Sequence, residues 1–162
     1  MTDPVADHVE RALADLGLTL PKAAAPVAAY VPAVEAGGLL HLSGQLPFKD
    51  GALVTGRLGE GLSLEEGQEA ARLCGLMVAA QIKAALGGFG RVRRIVKLGV
   101  YVNSAPDFTQ QPQVANGASE LMVALFGDAG RHARSAVGVP VLPLGAAVEV
   151  DAIVELSASA LD

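Results

Sequence analysis

The sequence predicts an α/β (α+β) protein in which a mixed β-sheet carries two long helices packed on one face. Three observations predict it. Two stretches in the middle of the chain place apolar residues near helical spacing. Short β-patterned runs stand in pairs at either end. The length of 162 residues suits one core and leaves no room for a second ordinary domain, so residues 1–162 read as a single domain.

Val5 to Leu16 reads as a short amphipathic helix, with Val5, Val9, Leu13 and Leu16 on one face and Gly17 to end it. Leu18 to Pro26 is an Ala- and Pro-rich connector. Tyr30 to Ala36 and Leu39 to Ser43 flank Gly37-Gly38 and read as a hairpin. Gln45 to Gly61 reads as loop, with Asp50-Gly51 as a tight turn. Ser63 and Glu66 have the spacing of a capping box and open the strongest helix, which Gly87-Gly88 stops. Ile95 to Asn103 reads as a strand. A second long helix ends near Phe126, with Val114, Ala118, Leu121, Met122 and Leu125 as its buried stripe and Gly127 and Gly130 beyond it. Ala133 to Val139 and Ala146 to Leu156 read as the closing strands. Two helices between end hairpins suggest a sheet covered on one face.

Composition narrows the function classes. The net charge of −5 repels a phosphate backbone, so no nucleic-acid role is expected. Arg91, Arg93, Arg94 and Lys97 alternate with Val92, Ile95 and Val96, as the solvent side of a strand would. Hydrophobic residues reach 51% while charged ones reach only 18%, against about 25% in an average soluble protein. Burial of some surface between subunits would account for this, as would a plain bias toward Ala. The apolar tract Leu73 to Leu86 is cut by Gln81 and Lys83 and falls short of the ~20 residues a membrane span needs. No signal peptide pattern is visible, and the single Cys74 cannot form an intrachain disulfide, so a cytoplasmic location is expected. Cys74 falls in a helical apolar pattern and reads as a buried structural thiol.

His8, His41 and His132 show no metal-ligand spacing, and no phosphate-binding glycine loop is present, so neither metal nor cofactor is expected. The informative segment is His132-Ala133-Arg134-Ser135-Ala136-Val137-Gly138-Val139, which sets one arginine inside a β-pattern. A guanidinium withdrawn from water needs an anion. A protein carboxylate could serve, and so could a ligand carboxylate gripped by the planar fork. Glu149 interrupts the last strand pattern in the same way. From sequence it could neutralise Arg134 or face a bound water.

Several segments together resemble the reactive-intermediate deaminase family (RidA, also called YjgF or L-PSP). They are Tyr30-Val31-Pro32-Ala33-Val34, Leu42-Ser43-Gly44-Gln45-Leu46-Pro47, Val96-Lys97-Leu98, Asp107-Phe108, Ala133-Arg134-Ser135, Leu142-Pro143 and Val148-Glu149-Val150-Asp151-Ala152-Ile153. The likeness runs over about 27–156 and leaves the N-terminal helix, within 1–18, as an addition. It implies a chorismate-mutase-like fold, a homotrimer and ligand clefts between subunits. It further implies hydrolysis of 2-imino and enamine acids to 2-keto acids and ammonia without a cofactor.

Carried over by position, Arg134 grips a small carboxylate-bearing metabolite and Glu149 positions the attacking water. Tyr30, Ser43, Asn116 and Ser135 line the cleft. The residue after Ser135 is Ala136, where many active members carry cysteine, so no thiol-based role comes with the resemblance. The alternative is a carboxylate-binding or regulatory protein of the same fold that turns nothing over. Ribonuclease chemistry is disfavoured by the acidic balance and the lack of a histidine pair for general acid–base work.

Overall fold

Ser63 opens the longest helix in the way its spacing to Glu66 predicts. In the computed structural model, which describes residues 4–25 and 29–158, the Glu66 N–H donates to Ser63 Oγ at 3.1 Å. The Ser63 N–H donates in return to the Glu66 carboxylate at 2.8 Å. The helix, α2 (Leu64–Leu86), stops at Gly87, whose φ of 73° suits a residue without a Cβ. The other long helix, α3 (Gln111–Phe126), starts at a loop with Pro112 in its first turn. Gly117 lets the two approach closely. A Cβ there would run into the backbone carbonyl of Gln68 on α2. The expected stripe of Val114, Ala118, Leu121, Met122 and Leu125 is buried throughout.

The main sheet has five strands: β1 (Ala33–Ala36), β2 (Leu39–Gln45), β7 (Val92–Asn103), β8 (Ala133–Val139) and β9 (Val148–Leu156). Their order is β1-β2-β9-β7-β8. β7 and β8 run parallel and the other neighbours antiparallel, so the sheet is mixed as expected. Strand alternation sorts the side chains. Leu40, Leu42, Leu98, Val100, Val102, Val148, Val150 and Val154 are buried beneath the helices. His41, Lys97, Tyr101, Glu149, Asp151 and Ile153 occupy the other face by register. That face keeps apolar surface open, with Val34 50% and Val137 46% exposed.

A shorter helix, α1 (Pro4–Asp15), packs Val9 and Leu13 into the core. Glu10 ties it to Lys83 of α2 at 2.8 Å. Cys74 is fully buried and its thiol donates to the Val148 carbonyl. Among the described residues no helix is long and apolar enough to cross a membrane.

Several sequence expectations shift in extent, among them the strand read as Leu39 to Ser43, which runs to Gln45, and the strand read from Ala146, which begins at Val148. The first strand covers only Ala33–Ala36, because the backbone before it is held by Ser43, whose hydroxyl donates to the Val31 carbonyl at 2.8 Å. The segment read as loop holds small ladders: β3 (Phe48–Lys49) with β4 (Ala52–Leu53) around the Asp50-Gly51 turn, and β5 (Arg57–Leu58) with β6 (Gly61–Leu62). The strand read from Ile95 begins at Val92, carried back by pairing of Val92 and Arg94 with β9. Thr2, Pro26 of the connector and Val27 at the head of the family-like stretch lie outside the described residues.

Candidate functional site

β8 is an edge strand, and Arg134 pairs in register with Leu98, a residue of the helix-covered face. Its side chain therefore leans toward α3. There Nη1 donates to Asn116 Oδ1 at 2.9 Å and to Ser119 Oγ at 3.1 Å. Nη2 donates to the Pro112 carbonyl at 3.2 Å. Asn116 and Ser119 stand one turn apart on α3 and so share a face. All three acceptors are neutral. The ion pairs of the described residues run between other partners, so Arg134 is paired with no carboxylate among them. Its Nε–H has no protein acceptor among the described residues, which leaves an edge of the guanidinium available. Arg134 also lines a depression of about 300 Å³ with Ser119, Val123, Arg131 and His132.

Glu149 belongs to a second group. It pairs with Tyr101 on the face away from the helices. Its carboxylate fills the space over Gly44, where a Cβ would collide with it. Among the described residues it has no hydrogen-bond partner. Burial, reinforced by the neighbouring Asp151 charge, pushes its carboxyl above the usual range. Tyr30 lies beside this group: with Pro32, Gly44 and Leu144 it lines a pocket of about 150 Å³. Ser43 holds the segment in place through the Val31 carbonyl. Leu144 is 77% exposed and adopts a φ of 59°, a strained conformation for a leucine.

The structure thus gathers Arg134 with Asn116, and Tyr30 and Ser43 with Glu149, but keeps the two groups apart within one chain. An internal Arg134–Glu149 pair, open from the sequence, does not form. Ser135 stands apart from both, exposed opposite Gly99 on the far face. Sequence reasoning missed Ser119, the Pro112 carbonyl and His132. Two signals were available: Ser119 follows Asn116 by three residues in a helical pattern, and His132 precedes Arg134 by two in an extended one.

Residues 10–156 match the family described as "YjgF/chorismate mutase-like, putative endoribonuclease". The chain is 59% identical to protein TCP17 of Trypanosoma cruzi over 88% of its length and 90% of that protein. It is 29% identical to a 2-iminobutanoate/2-iminopropanoate deaminase of Dermatophagoides farinae, over 85% of this chain and 93% of the other. The crystal structure of Atu1372 from Agrobacterium tumefaciens superposes with a TM-score of 0.88 at 46% identity, covering 94% of this chain and 95% of that one.

Proposed function

Since the chain belongs to the YjgF/chorismate mutase-like family, we propose that it hydrolyses reactive 2-imino acids to 2-keto acids and ammonia in clefts between the subunits of a cytoplasmic homotrimer. The observation that carries this reading is Arg134: a half-buried cation held by three neutral acceptors, with donors to spare and a place in the lining of an open depression. An anion is what such a group lacks, and a planar carboxylate fits its fork.

One copy supplies the clamp. The acid lies on the opposite face of the sheet, so the neighbouring copy brings its Tyr30, Ser43 and Glu149 to the same cleft. The apolar residues Val34, Tyr101 and Val137 on the open face give the copies a surface to bury. Ser135, on that same face, lies toward the subunit boundary.

The chemistry asks little of the protein. A protonated imine is electrophilic already, so orientation and a placed water suffice. Arg134 fixes the carboxylate. Glu149 accepts a proton from water as the oxygen adds to the imine carbon. Protonated Glu149 then gives that proton to the carbinolamine nitrogen, and as the C–N bond breaks and ammonia leaves, the hydroxyl proton passes back to Glu149 and the carbonyl forms. The raised carboxyl of Glu149 favours such give and take. The substrate side chain rests against Tyr30 and Leu144.

The test is to generate 2-aminoacrylate or 2-iminobutanoate in situ and follow keto-acid release. The expected result is release well above the rate in buffer. A rate equal to buffer across several imino acids, with retained 2-keto acid binding, would replace the reading with that of a carboxylate-binding protein.

A further inference from the structure

His132 and Ser119 form a chain of hydrogen bonds whose proton positions the geometry fixes. His132 Nδ1 lies 2.6 Å from the Gly130 carbonyl. A carbonyl only accepts, so Nδ1 carries the proton. In the neutral ring Nε2 then holds a lone pair, and Ser119 Oγ, 2.8 Å away, donates to it. Oγ in turn accepts from Arg134 Nη1. Burial holds the ring below the ordinary histidine range, the Arg134 charge adds to this, and the Gly130 carbonyl opposes it.

The charged groups around the ring are few. β8 contributes Arg134. The turn before it contributes Arg131, which is paired with Asp128 at 3.3 Å. α3 faces the depression with Ser119 and Val123, while its Glu120 lines another depression with Leu16 and Arg72. From β7, Lys97 stands opposite Ala133, on the far face of the sheet. Among the described residues no carboxylate hydrogen-bonds to the ring. The charge that its titration feels is the Arg134 cation, and in the proposed assembly the neighbouring copy's Glu149 is the acid of the same cleft.

We propose that Ser119 and His132 extend the Arg134 site into a proton-coupled anion subsite, in which a carboxylate bound at Arg134 draws a proton onto His132 Nε2 and turns the Ser119 hydroxyl toward the bound oxygen. This rests on the reading that Arg134 receives a ligand carboxylate. The balance is simple. Nε2 gains one proton from solvent, and the Ser119 O–H bond stays intact. Oγ then accepts from both Nε2–H and Arg134 Nη1, and its own proton points to the ligand, which is the full complement of a hydroxyl. A negative charge within about 4–6 Å favours the imidazolium by about one pKa unit or more. The subsite therefore selects a free carboxylate over its ester or amide, and affinity rises as pH falls.

The probe is 2-oxobutanoate added to the intact protein. NMR of the His132 ring gives its tautomer and its titration with and without ligand. Affinity is measured at about pH 8 and about pH 5.5, on either side of an ordinary histidine. The expected results are an Nδ1–H tautomer in the free protein, an upward shift of the His132 titration on saturation, and affinity about three- to tenfold tighter at the lower pH. His132→Gln keeps an acceptor for Ser119 but takes no proton, so its affinity stays level with pH. In a Glu149→Gln background, which removes the acid of the proposed cleft, the wild-type His132 still gives the dependence.

An Nε2–H tautomer, a titration unmoved by saturating ligand, or a Gln variant with the wild-type pH dependence overturns the proposal. Absence of imine turnover with proton-coupled binding intact removes the deaminase reading alone. Failure of 2-oxobutanoate to bind at either pH overturns both.

Discussion

Arg134 and Glu149 leave the same sheet on opposite faces. Arg134 pairs with Leu98 and Glu149 with Tyr101, and these two partners stand three positions apart on β7, the strand between them. An odd offset on a pleated strand reverses the side. No rotamer change brings the two groups together in one chain, and the predictions below start from that separation.

Mixing two inactive variants tests it directly. Arg134→Ala removes the proposed clamp and Glu149→Gln the proposed acid, so each variant alone is expected to be inactive. After subunit exchange, some boundaries pair an intact Arg134 with an intact Glu149. Partial recovery of turnover in the mixture is expected. No recovery, with exchange confirmed by mass spectrometry, would refute a site shared between copies.

Arg134→Lys is expected to lose most carboxylate affinity, on the order of 2–3 kcal/mol, because an ammonium cannot hold Asn116, Ser119 and Pro112 while presenting a fork. Isothermal titration with 2-oxobutanoate measures it. The thermal midpoint should fall modestly, since hydrogen bonds to those three acceptors are lost or weakened.

Two glycines separate site from scaffold. At Gly44 an added methyl meets first the Glu149 side chain, which has rotatable bonds with which to yield. Gly44→Ala should lower turnover while leaving the denaturation midpoint near wild type. At Gly117 the methyl meets the Gln68 backbone, so α2 and α3 must part. Gly117→Ala should cost about 1–3 kcal/mol in chemical denaturation.

Glu149 gives a pH signature. Its carboxyl is raised in the folded state, first by burial and then by Asp151. The folded state therefore binds the proton more tightly than the unfolded state. The advantage is full below the ordinary glutamate range and is lost as pH rises through the raised value. Glu149→Gln removes a charged group that the fold disfavours, so it should melt higher than wild type at neutral pH. The gap should close at acid pH. A variant that melts lower at neutral pH would contradict the shift.

Cys74 reports on opening. It is fully buried, and burial pushes its thiol well above the ordinary range, with the Glu149 charge adding to it. Labelling by a thiol reagent should be slow in native protein and should accelerate with denaturant in step with unfolding.

Much of this fold is legible in the sequence because local and global signals agree. Ser63 and Glu66 fix the start of α2 by their own hydrogen bonds, and the run Ala133–Val139 is a strand over its predicted length. Legibility fails where tertiary contacts decide. Tyr30 to Pro32 has β composition but is held by the Ser43 hydroxyl instead of a ladder. The site is half legible. Arg134 and Glu149 stand out as charges in apolar patterns, yet their placement on opposite faces depends on strand register across β7. The role of the Pro112 carbonyl cannot be read at all, since a backbone acceptor leaves no mark on residue type.

The N-terminal helix has more reach than its position in the chain suggests. Val9 and Leu13 are sunk in the core, and His8 lies over Gly127, at the head of the turn whose Gly130 carbonyl sets the His132 ring. α1 therefore acts as a buttress for the depression beside Arg134, to whose lining it contributes no residue. A chain begun after Gly17 would keep every residue of the clamp and still lose the footing on which the imidazole stands.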